Sequence, residues 1–135
     1  MANALYDKGR QGFLDGSIDW DTDDIRIILL DEDDDAPNLA TDDNLDDVVA
    51  GARVAVSSSL AGKTVTDGVA DANDVVLTAV SGDQFESITG YKHTGTESTS
   101  RLIFNHDTGT GFPTTPNGAD ITVQWDSGAN KIFKL

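Results

Sequence analysis

Cysteine is absent from the 135-residue chain, so neither a disulfide framework nor a thiolate metal centre can hold its fold. Basic residues are scarce too: nine lysines and arginines stand against 24 aspartates and glutamates, a formal net charge of −15. A surface of that sign repels phosphate backbones, which argues against direct nucleic-acid binding. No apolar run approaches the roughly 20 residues of a membrane span, and residues 1–10 are polar where a secretory leader needs an apolar stretch. The expectation is a soluble protein made in a cytoplasm, with no membrane partner. What remains is enough for one ordinary domain, because a chain of this size buries roughly two thirds of the surface it exposes when unfolded.

The charge that is present is unevenly placed. Between Asp15 and Asp47 there are fourteen acidic residues and one basic residue, Arg26, whereas the chain from Val48 onward is close to neutral. A block of like charge is first of all a solvated face that confers solubility and repels other anionic surfaces. Its functional counterpart would be a docking face for a basic partner, and the plain reading is preferred.

Apolar spacing divides the chain into a short helix followed by strands. Over Ala4 to Leu14, Leu5, Gly9, Gly12 and Phe13 fall near one side at helical spacing, with Gly16 placed to stop the helix. Two internal glycines each cost about 1 kcal/mol relative to alanine, so this helix needs its apolar side docked. Ile25 to Leu30 is a β-branched and aliphatic run of the kind expected for a buried strand. Residues 36–47 read as a long loop with one short helical turn near Asp43 to Val48. Further strands are expected at Arg53 to Ser57, Lys63 to Asp67, Val75 to Val80, Phe85 to His93, Arg101 to Asp107, Ile121 to Asp126 and Lys131 to Leu135. Ile121, Val123 and Trp125 alternate toward the core, with Thr122, Gln124 and Asp126 facing out. Ser127 to Asn130 is read as a hairpin into the last strand, and Thr108 to Gly118 as a surface loop. The fold class is mainly β: a single antiparallel sandwich or barrel domain, residues 1–135, with a short N-terminal helix.

Chemistry is thinly supported. Asp31, Asp33 and Asp35 alternate as calcium ligands often do, but a helix-loop-helix calcium loop starting at Asp31 would want glycine where Ala36 stands and glutamate where Asp42 stands. A solvated turn is the preferred reading, and no metal or other cofactor is assigned. The two histidines, His93 and His106, sit at expected strand ends outside any nucleophile signature, and Ser57 to Ser59 lacks the Gly-x-Ser-x-Gly elbow. Neither a phosphate loop nor a zinc helix occurs. No catalytic residue is named, and the chain is read as non-enzymatic. The aromatics fit strand patterns and are assigned to core packing. Trp20 is the exception: set between Asp19 and Asp21, it either closes a core edge or anchors an interface.

The segments "ALYDKGRQGFLDGSIDWDTDDIRIILLD", "TDDNLDDV", "GARVAVSSSLAGKTVTDGVADANDV", "YKHTGTESTSRLI" and "NGADITVQWDSGANKIFKL" together resemble small virion structural proteins of tailed phages, notably those of actinobacteria. The resemblance runs nearly the whole length in order and rests on spacing rather than on one motif. It implies a capsid decoration subunit on the outer surface of the virion, with the major capsid protein as partner and a homotrimer or other symmetric oligomer as the assembly. A tail or neck component, or a host- or glycan-binding module displayed on the virion, are the alternatives. The candidate capsid or subunit contacts are Leu5, Tyr6, Phe13, Trp20 and Phe112.

Overall fold

In the computed structural model, which describes residues 3–135, the apolar run of the first long strand becomes the centre of the molecule. The elements are β1 (Ala4–Leu5), α1 (Asp7–Asp15), β2 (Ile25–Leu30), β3 (Arg53–Val56), β4 (Thr64–Thr66), β5 (Val69–Asp71), β6 (Val75–Leu77), β7 (Ser87–Lys92), β8 (Leu102–His106), β9 (Ile121–Val123) and β10 (Phe133–Lys134). Single 3-10 turns lie at Leu45–Asp47, Ala50–Ala52 and Glu97–Thr99. Every described strand pairing is antiparallel, in a large sheet ordered β1-β8-β7-β2-β3, a small one ordered β10-β5-β4, and a two-stranded sheet of β6 and β9. The fold is mainly β, and among the described residues there is no closed barrel. Among the described residues no helix is long and apolar enough to cross a membrane.

β2 is apolar at every position but Arg26 because both of its faces are covered. Ile25, Ile27 and Leu29 join a core shared with Ala70, Val75, Leu77, Val123 and Phe133, so the two small sheets pack against this side of the large one. Ile28 and Leu30 face the opposite way, into a second core with Tyr6, Leu45, Val48, Ala52, Tyr91 and Leu102, against which Leu39 also packs. The residues following β2, read from sequence as a long loop, thus cover the second face of the large sheet with four apolar side chains, while Asp33, Asp34, Asp46 and Asp47 are exposed. The short helical turn expected there is present at Leu45–Asp47.

At three places the structure corrects the sequence reading. The helix starts at Asp7 rather than Ala4: Ala4 and Leu5 pair with Asn105 and Phe104 of β8, and the Tyr6 amide donates to the Ile103 carbonyl, so strand pairing captures these residues before the helix begins. Gly9 is no weakness in that helix, since a Cβ there would lie 2.7 Å from the Ile103 carbonyl oxygen, and its absence lets α1 lie directly on β8. Gly16 ends the helix with a left-handed φ of 80°, as its position suggested. Second, the last strand does not form a hairpin with β9. β9 pairs with β6, and β10 pairs with β5, Phe133 opposite Ala70. Third, β5 escaped the sequence reading although its turn is visible there: Asp67 and Gly68 take φ of 51° and 80°, the paired positive values of a two-residue hairpin.

Candidate functional site

The proposed contact residues divide by burial. Leu5, Tyr6 and Trp20 are 6%, 0% and 3% exposed, so in the isolated chain they are core residues and present no surface to a neighbour. Trp20 takes the core-edge role: its indole N–H donates to the Asp71 carbonyl at 3.0 Å, and its ring meets Phe133 edge-on at 5.2 Å. Phe13 is half-buried, 5.7 Å from Phe133, and Phe112 is half-buried, edge-on to Phe85 at 6.2 Å. Beside Phe13, Leu14 is 90% exposed at the end of the helix.

The acidic segment is ordered by its own carboxylates. Backbone amides of Asp33, Asn38, Asp43 and Val49 donate to the side chains of Asp31, Asp42, Asp47 and Asp35 at 2.7–3.0 Å. Short polar side chains that accept from nearby amides are what hold irregular backbone in place, which explains the choice of aspartate over glutamate. The Asp43 backbone amide holds the Asp47 carboxyl below the usual carboxylate range, whereas burial pushes Asp42 up. Arg53 ties the segment to the sheet: its guanidinium donates to the carbonyls of Leu45 and Val48 and forms a two-pronged pair with Glu97, whose pKa it lowers. At the other end Arg26 grips Asp24 in the same two-pronged way, and Lys92 reaches Asp23 at 3.0 Å.

The alternating set Asp31, Asp33 and Asp35 is not brought together. Asp35 turns to the Val49 amide, while carboxylate oxygens of Asp31 approach those of Asp34 and Asp83, or of Asp33 and Glu86, within 4.8 Å of one another. Two of these carboxylates are already engaged, Asp31 by the Asp33 amide and Glu86 by the Glu32 amide at 2.9 Å.

Sequence reasoning missed a cleft of about 920 Å³. The β1–β8 edge of the large sheet, the residues following β8, β9 with its continuation to Asp126, and residues 130–134 surround it. The strand-end His106 is half-buried on its wall. Its ring packs on Phe104 at 4.6 Å between centroids, and both ring nitrogens are sealed from solvent without a well-formed hydrogen bond. Burial is the main cause of its lowered pKa, with the Ile132 backbone and Asp107 pulling the other way. Phe112 and Trp125 are half-buried on the cleft's walls. The alternation of Ile121, Val123 and Trp125 inward was legible in sequence, but the cleft was not, because its walls come from segments far apart in the chain. No family model matches the sequence, and no curated protein matches it either.

Proposed function

We propose that the chain is a non-enzymatic structural protein of a tailed-phage particle, seated on the outer surface of the capsid as a decoration subunit. The observation that carries this reading is the ordered anionic shell over the second face of the large sheet. Apolar residues Leu39, Leu45, Val48 and Ala52 anchor it inward, four carboxylates accept from its backbone amides, and Asp33, Asp34, Asp46 and Asp47 are exposed. A rigid, strongly anionic exterior keeps a subunit soluble before assembly and repels packaged nucleic acid. The segment-by-segment resemblance to small virion proteins points the same way. Binding then depends on a repeated lattice of the major capsid protein, where modest contacts are reinforced by contacts between copies in a trimer or other symmetric oligomer. With Leu5, Tyr6 and Trp20 committed to the core, the contacts fall to Phe13 with neighbouring Leu14 and to Phe112.

The test is the stoichiometry and location of the chain in purified particles, by quantitative mass spectrometry of separated capsids and tails. The expected result is enrichment on capsids at a copy number that is a fixed fraction of the shell protein. A low copy number confined to tails would reject decoration in favour of a tail or neck role.

A further inference from the structure

We infer that the cleft between the β1–β8 edge and the β9 strand is a binding site for an oligosaccharide. Its volume of about 920 Å³ is at the upper end of the range usual for small-molecule sites. Two half-buried aromatic rings line it, and both are held in place from behind. Phe112 meets Phe85 edge-on, while Trp125 meets Phe104 edge-on at 6.1 Å and its indole N–H donates to the Asn73 carbonyl at 3.1 Å. Rings fixed before binding offer apolar faces to the C–H side of a pyranose at little cost in ordering.

The hydrogen-bonding groups beside them suit hydroxyls. Thr122, Gln124 and Asn130 line the cleft with no intramolecular side-chain partner among the described residues. Hydroxyl and carboxamide groups each donate and accept, which matches sugar hydroxyls that do the same. Charge narrows the class further. In a chain with 24 acidic residues, Asp126 is the one carboxylate on the lining, so the cleft is not built to attract a cation. Of the three cations there, Arg10 is already paired with Asp7, and Lys131 and Lys134 stand against Asp126. An entirely apolar ligand would leave this polar half of the wall without partners. The inference does not rest on the capsid reading, because a saccharide site requires no assembly; the two share Phe112 alone, and the Trp125, Gln124 and Asn130 substitutions leave it in place.

The test is two-dimensional NMR of the full chain titrated separately with cellotriose, maltotriose, chitotriose and mannotriose. At least one is expected to shift the Trp125 indole resonance saturably while the indole of buried Trp20 stays put as an internal reference. Trp125→Ala, and the surface pair Gln124→Ala with Asn130→Ala, should each weaken binding about tenfold or more, equivalent to at least 1.4 kcal/mol. The paired variant keeps the test sound if Trp125→Ala perturbs folding. The inference is overturned if all four sugars leave Trp125 unmoved, or if the affinity survives the Gln124 and Asn130 substitutions.

Discussion

Gly90 shows how far a single position is determined. It stands opposite Phe104 across the β7–β8 pair, and any Cβ there would collide with the Phe104 ring, which is fully buried at the centre of the larger core. Gly90→Ala is therefore expected to destabilise the chain by about 1–3 kcal/mol through overpacking, read by urea unfolding. Gly51→Ala, where an added Cβ meets nothing within 4 Å, serves as the matched control and should change little. His106 supports a second prediction at this scale. Its folded-state pKa is depressed by burial below its ordinary 6.5, so the unfolded chain takes up the proton first as pH falls. The stability this neutral histidine contributes is complete above pH 6.5 and is lost as pH falls from there through the folded value. His106→Gln should flatten that part of the stability profile, and an unchanged slope between wild type and variant would contradict the burial argument.

The elements that sequence predicts well are those whose pattern is local. β2 and the Leu102 to Phe104 part of β8 announce themselves as apolar runs, and the alternation through Ile121, Val123 and Trp125 gives β9 its inward side. Pairing partners are another matter. β10 joins β5 across more than sixty residues of chain, and nothing in Phe133 and Lys134 says so. The two-residue turn at Asp67 and Gly68 was readable, yet β5 is only three residues long and carries too little periodicity to be recognised beside it. The loop of residues 36–47 misleads for a different reason: its acidic content dominates the pattern, while the few apolar residues that dock it are spaced irregularly. Arg53 is the fastener for this docking. Arg53→Met, which keeps the aliphatic stem, is expected to cost about 2–3 kcal/mol because the Leu45 and Val48 carbonyls lose a charged donor. Amide exchange should accelerate at Asp47 and Val48, whose N–H groups close the 3-10 turn. Glu97→Gln removes only the half-exposed end of the same pair and should cost much less. Equal losses from both substitutions would move the weight from the backbone carbonyls to the ion pair.

For the molecule as a whole, charge sets the response to solution conditions. With 24 acidic and nine basic residues, repulsion among carboxylates outweighs the attractive pairs, since even complete pairing of every cation would leave an excess of −15. Raising sodium chloride from about 10 to about 150 mM shortens the screening length from about 30 to about 8 Å. The expected result is a higher melting temperature, against the small loss from exposed pairs such as Arg10 with Asp7. A fall in melting temperature over that range would mean that the pairs outweigh the repulsion. Calcium separates general screening from a specific ion site. The carboxylates near Asp31 come within 4.8 Å of one another, but Asp31 and Glu86 already accept backbone amides, so these oxygens are occupied as loop fasteners. At matched ionic strength, melts in calcium and in chelator should coincide. A calcium-dependent rise that disappears in Asp31→Asn would instead assign these carboxylates to an ion, because screening alone depends on ionic strength and not on one buried aspartate.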